Sequence, residues 1–177
     1  MSHHATARPA NLRLAVRNDA AAILAIYNYE VERTTATFDL TPRSFVQQEE
    51  WILARSQAFA AIVATDADDK VIGFASLSPY KERAAYRTSV ENSVYVDRSV
   101  HGRGVGRQLL TAILDQAAEH GFHAVFARIE ASGSASRALH VACGFTLIGV
   151  EREVGRKFGR WLDVALMQCL LHERTAL

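Results

Sequence analysis

Between residues 94 and 110 the chain reads VYVDRSVHGRGVGRQLL: an apolar triplet, then Gly102, Gly104 and Gly106 alternating with Arg103 and Arg107, then an amphipathic run. This bend constrains the fold more than any other stretch, because it joins a strand to a helix through residues that lack a Cβ. A helix start preceded by glycines exposes unpaired backbone N–H groups and the positive end of the helix dipole. Phosphate oxygens fit there, since glycine lets the backbone approach and the two arginines add charge-assisted contacts. The plainer alternative is a turn that needs glycine only for positive φ; three glycines so close together favour the anion cradle. Arg107-Gln108 stands where a P-loop requires Lys-Ser/Thr, and residue 107 is not the third glycine of a dinucleotide fingerprint.

The periodicities around the bend predict one sheet with helices on both faces. LRLAVR (12–17) alternates as a half-buried strand, and DAAAILAIYNYEVER is helical, with Asn18 or Asp19 as its cap. TTATFDL is short and β-branched. Thr41-Pro42 predicts the start of a second helix that runs to about Gln57. FAAIVATDADDKVIGFASLS reads as a hairpin around Asp66 to Lys70, and PYKERAAYRTS as a loop with a helical turn. ENSVYVD is a strand, followed by a helix from Gly104 to His120 closed by Gly121. FHAVFARIE is a strand, SASRALHVAC a short helix ended by Gly144, and FTLIGVEREV and WLDVALMQCLL the last two strands. The order is β-α-α-β-β-β-α-β-α-β-β, an α/β fold in one domain spanning 12–177, with residues 1–11 expected as a flexible tail.

Composition narrows the partners. A formal net charge of +1 leaves no basic excess for nucleic acid or an anionic membrane, so any anion site is local. No stretch approaches the ~18 apolar residues of a membrane span, and MSHHATARPANLRL lacks a secretory apolar run. The His3-His4 pair reads as tail composition, so no metal is expected. Cys143 and Cys169 lie in apolar contexts and read as buried free thiols of a reducing cytoplasm.

The segment His101-Gly102-Arg103-Gly104-Val105-Gly106 resembles the pyrophosphate-binding motif of the GCN5-related N-acetyltransferase (GNAT) superfamily, Gln/Arg-x-x-Gly-x-Gly/Ala, with histidine at the first position. YNYEVERTTATF, AYRTSVENSVYV, SASRALHVACGF and GRKFGRWLDVALMQ, in that order, are similar to its phosphinothricin/methionine sulfoximine acetyltransferase branch. The resemblance implies the GNAT fold, a mixed and mostly antiparallel sheet. It also implies acetyl-CoA as acetyl donor and a homodimer. The implied reaction moves the acetyl group to the α-amine of phosphinothricin, methionine sulfoximine or methionine sulfone. A peptide N-terminus as acceptor, or a non-catalytic CoA-binding sensor, are the alternatives.

Such chemistry needs a base, because an α-amine with a pKa near ~8 is mostly protonated at neutral pH. Glu91 opens the strand before the bend, and alternation puts Glu91, Ser93 and Tyr95 on one face. The resemblance makes Glu91 the general base; the plain reading is a strand-end glutamate in water or a salt bridge. Glu130 and Asp163 are weaker rivals. For the cofactor, the resemblance implies that this strand splays from its neighbour, so that the backbone of Val94, Tyr95 and Val96 meets the pantetheine arm. Gly102, Arg103, Gly104, Val105, Gly106 and Arg107 then take the pyrophosphate. Ser134 and His140 stand where the superfamily often has asparagine and tyrosine. Ser134 is thus expected at the pantetheine, and His140 is either a proton donor to the leaving thiolate or a packed helix histidine. Lys81, Glu82, Arg83 and Arg87 cluster just before Glu91, where the cations suit a carboxylate or an oxidised sulfur or phosphorus group. Phe38, Tyr80 and Tyr86 are expected to wall a side-chain pocket, with Asn92 and Ser93 as polar contacts to the amine. Trp161, Leu162, Val164, Leu166 and Met167 supply apolar surface for a second subunit.

Overall fold

The structure, a computed structural model, describes residues 10–174. The His3-His4 pair and most of the expected tail lie outside these residues; Asn11, read as tail, already belongs to the first strand. The elements are β1 (Asn11–Leu14), α1 (Ala20–Arg33), α2 (Phe45–Leu53), β2 (Ala61–Thr65), β3 (Val71–Pro79), β4 (Ser89–Val96), α3 (Val105–Glu119), β5 (Ala124–Glu130), α4 (Ser134–Ala142), β6 (Thr146–Lys157) and β7 (Arg160–Leu170). They form one sheet ordered β1-β2-β3-β4-β5-β7-β6, antiparallel except where β4 meets β5. Element order and fold class are those expected.

Two cores sandwich the sheet. On one face the α3 stripe of Leu109, Leu110, Ile113 and Leu114 is fully buried against Val90, Val125 and Met167. Burial of each such side chain stabilises the fold by about 1.5–3 kcal/mol. On the other face Ile23 and Tyr27 of α1 and Ile52 of α2 pack against Val63 and Phe74.

Some element ends, and the place of one strand in the sheet, differ from expectation. β1 stops at Leu14 because the Asp19 carboxylate accepts from Val16 N (2.8 Å) and from Arg13, folding the chain into a turn. Helix α2 begins at Phe45, after Thr41-Pro42, because Ser44 and Gln47 form a reciprocal capping box: Gln47 N donates to Ser44 Oγ and Ser44 N to Gln47 Oε1. It ends at Leu53, short of Gln57. Finally, β7 is an interior strand, so Leu162, Val164 and Met167 belong to the chain's own core, Leu166 is half-buried, and Trp161, at 61% exposure, stays outside. The exposed apolar surface belongs to the edge strand β6: Leu147, Ile148, Val150 and Val154.

The feature that makes a site is a fork. β4 and β5 pair over only three positions, Ser89↔Ala124, Val90↔Val125 and Glu91↔Phe126. Beyond Glu91, β4 stays with β3 through Val96 and β5 stays with β7 through Glu130, so the two strands part. At the fork the Asn92 side-chain amide donates to the Phe126 carbonyl (2.9 Å), taking up an acceptor where the ladder stops.

Candidate active site

The fork opens into a cleft of ≈ 1060 Å³ that runs from Glu91 along β4 to the glycine bend. At the bend end, Gly104 caps α3 with φ 81° and Gly102 has φ 76°, a left-handed backbone that side chains disfavour. A Cβ at either would meet nothing within 4 Å, so the loop faces empty space. His101, Gly102, Gly104, Val105, Gly106 and Arg107 line the cleft, and the first turn of α3 aims its unpaired N–H groups there. His101 folds back so that its Nε2 lies 2.9 Å from the Val96 carbonyl, tying the loop to the end of β4.

At the other end Glu91 lines the cleft on the α1 side of the sheet. Burial pushes its carboxyl above the usual carboxylate range; Arg128 opposes that shift and Glu151 reinforces it. Glu130 is its nearest rival in the cleft. Burial pushes Glu130 up, yet Ser132 (hydroxyl and backbone N–H) and Thr35 all donate to it, and the net effect lowers its pKa. A carboxylate so held is a poor proton acceptor. Asp163 is occupied by Glu153 N at 2.7 Å. Thr34 to Phe38 form the facing wall. They are held from behind by Lys157, 4% exposed, whose ammonium donates to Thr37 O (2.7 Å), and by Phe38 lying on Gly155, where a Cβ would come within 2.2 Å of the ring.

A strand pair that separates halfway, with a glycine-built helix start at its open end, is also what sequence similarity selects. Residues 23–145 match the acetyltransferase (GNAT) family. The chain belongs to that family. An L-methionine sulfoximine/L-methionine sulfone acetyltransferase of Pseudomonas paraeruginosa is 41% identical over 160 residues, covering 90% of this chain and 93% of the relative. A GNAT-superfamily phosphinothricin acetyltransferase from Sinorhizobium meliloti, solved in complex with acetyl-CoA, superposes with a TM-score of 0.89 at 37% identity, covering 96% and 92% of the two chains. A ribosomal-protein-alanine N-acetyltransferase from Brucella melitensis gives 0.87 at 38% identity, with 90% and 99% covered.

In this GNAT chain the residues singled out in the sequence divide into those the cleft gathers and those it does not. Glu91, Asn92, Ser93, Val94, Tyr95, Val96, Phe38 and His140 line it. Asn92, expected as a contact to the amine, is buried and committed to Phe126 and His140. His140 is 4% exposed: its Nδ1 lies 2.8 Å from the Ser136 carbonyl and its Nε2 3.2 Å from Asn92 Oδ1. Burial lowers its pKa, against the Ser136 hydrogen bond. That is the geometry of a packed bridging histidine. Arg103 and Ser134 lie outside the lining; on α4 it is Ala135, Ser136, Leu139 and His140, with Gly133 before the helix, that face in.

Lys81, Glu82, Arg83 and Arg87 are exposed and do not line this cleft. Their loop nevertheless reaches the fork, because Tyr80 stacks on Phe126 at 4.0 Å, Tyr86 meets Tyr80 edge-on, and the Lys81 ammonium sits over both tyrosines. Sequence reasoning missed Arg128 and most of the Thr34–Phe38 wall. The signal for Arg128 was present: AVFARIE alternates, putting Val125, Ala127 and Ile129 in the core and Phe126, Arg128 and Glu130 on the cleft side.

Proposed function

We propose that this GNAT chain is an acetyl-CoA-dependent N-acetyltransferase acting on the α-amine of a small amino-acid analogue of the phosphinothricin, methionine sulfoximine or methionine sulfone type. The observation that carries the reading is Glu91, a half-buried carboxyl with a raised pKa at the fork of β4 and β5, in the same cleft as the glycine bend. The residues present fit the donor. Gly102, Gly104, Val105, Gly106 and Arg107 hold its pyrophosphate through backbone N–H groups and one guanidinium, and Val94 and Val96 offer the backbone that β5 has left unpaired, while the Tyr95 backbone between them pairs with Phe74 of β3. Acetyl-CoA supplies the acetyl thioester.

Glu91 takes the proton from the acceptor ammonium, directly or through one water, which frees the lone pair for attack. A raised pKa brings the base closer to neutrality, where proton transfer is more favourable. A backbone N–H of the parted strand polarises the thioester carbonyl. The departing thiolate, with a thiol pKa near ~8.5, leaves without an obligatory acid. His140 therefore serves by holding Asn92 at the fork. Phe38 walls the acceptor side chain and Ser93 meets its polar groups, while the Lys81–Arg87 loop, outside the cleft lining, braces the fork through Tyr80 on Phe126.

Glu91→Gln tests the reading: turnover should fall roughly 10²-fold or more, with acetyl-CoA affinity retained. Unchanged turnover removes Glu91 from the mechanism. The similarity to the Brucella enzyme favours a second reading, a peptide N-terminus as acceptor, which occupies the same cleft with the same base.

The buried free thiols Cys143 and Cys169 fit a cytoplasmic setting. The exposed apolar residues of the β6 edge support a homodimer formed through that strand. Sedimentation at micromolar concentration should give twice the chain mass, and a monomer mass would remove the dimer.

A further inference from the structure

Three charges lie in a row across the cleft side of the sheet. Glu91 and Phe126 are partners in the parallel pair and share a face, and Arg128 shares the face of Phe126 two residues along β5. Glu151 joins the same face through Val164, its partner on β7, which also pairs with Glu130. Arg128 lines the cleft with Glu91, whereas Glu151 is not among the lining residues. The Arg128 guanidinium faces Glu151 with both amino groups, Nη2 2.5 Å from Oε2 and Nη1 3.5 Å from Oε1.

We propose that Glu151 is a positioning residue for the reaction: by holding the Arg128 guanidinium it keeps that cation from pairing with Glu91, which stays free to take the acceptor's proton. The proposal rests on Glu91 being the base. A carboxylate that accepts an arginine fork is a weaker base, because the pair favours its charged form. The electrostatics of the site run that way, since Arg128 pulls the Glu91 pKa down and Glu151 pushes it up. Other charged groups around the fork have partners or other faces. Glu130 is held by Ser132 and Thr35, and Glu30 is paired with Arg98. Lys81 lies over its tyrosines, with Glu82, Arg83 and Arg87 exposed on the same loop. His140 is bonded to Asn92 on the opposite face. Arg128 is thus the cation that Glu91 feels most, and Glu151 is what restrains it.

The experiment is the pH profile of kcat/KM for the native enzyme and for Glu151→Gln, Arg128→Gln, Glu151→Asp and Glu91→Gln. The acid limb reports the base, and the basic limb reports the acceptor's own ammonium, so it serves as an internal reference. Glu151→Gln should move the acid limb to lower pH and lower the plateau. Arg128→Gln should move it to higher pH, and Glu151→Asp should stay near the native profile. The KM for acetyl-CoA should be unchanged throughout. Both side chains are a little over a third exposed, so neither substitution strands a buried charge. Acid limbs that coincide, or that move the same way in the Gln variants, overturn the proposal. An acid limb that survives in Glu91→Gln overturns the base itself, a failure distinguishable from the first.

Discussion

The two ends of the cleft are built from different materials. The bend end is backbone: left-handed glycines and the first turn of α3, all within residues 102–107, set a cradle whose donors are main-chain N–H groups. The fork end is side chains drawn from across the sequence. Glu91 comes from β4, Arg128 from β5 and Glu151 from β6; Thr37 and Phe38 come from the loop after α1, with Lys157 and Gly155 behind them. A backbone site depends on chain path alone and suits a group shared by every reaction of the family. A side-chain site can change residue by residue, which suits the part that selects an acceptor.

Substitutions at the two ends should therefore affect different substrates. Gly104→Val forces a β-branched residue into φ 81°, strain of about 1–3 kcal/mol. Loss of the cradle should raise the KM for acetyl-CoA at least ~tenfold and leave acceptor preference as it was. A change in acceptor preference would break the division. Lys157→Met removes the ammonium from Thr37 O and leaves that carbonyl without its donor. The facing wall then loosens, and the KM for the acceptor should rise roughly fivefold with acetyl-CoA unaffected; steady-state titration of both substrates reads the split. Equal effects on both KM values would mean that the wall serves the cofactor too.

The same contrast explains what could be read from sequence. The left-handed backbone of the bend was legible because it lies in six consecutive residues whose types state the backbone they allow. The α3 stripe and the order of elements were legible because periodicity reports burial directly. The face of Glu91 was legible because alternation fixes it once the strand is recognised; its role as base was what the resemblance implied. Arg128 was harder, since a cation in an alternating strand looks like any solvated residue until β4 and β5 are known to part beside it. The Lys81–Arg87 cluster was conspicuous as charge, yet its approach to the fork runs through Tyr80 on Phe126, a contact between residues 46 positions apart. Lys157 carried no local sign either: only the fold brings it under a loop 120 positions away. Among the helix boundaries, Thr41-Pro42 lost to Ser44 because a reciprocal capping box satisfies two backbone donors.

The most direct measurement is thiol release from acetyl-CoA by the purified protein. L-phosphinothricin, L-methionine sulfoximine and L-methionine sulfone would be offered in parallel with a peptide bearing a free N-terminus. Rapid release is expected with at least one of the three amino-acid analogues and little with the peptide. Release with the peptide alone would contradict the assignment of the fork to a small acceptor. Tight acetyl-CoA binding with no release from any of them would contradict catalysis on this class of amine.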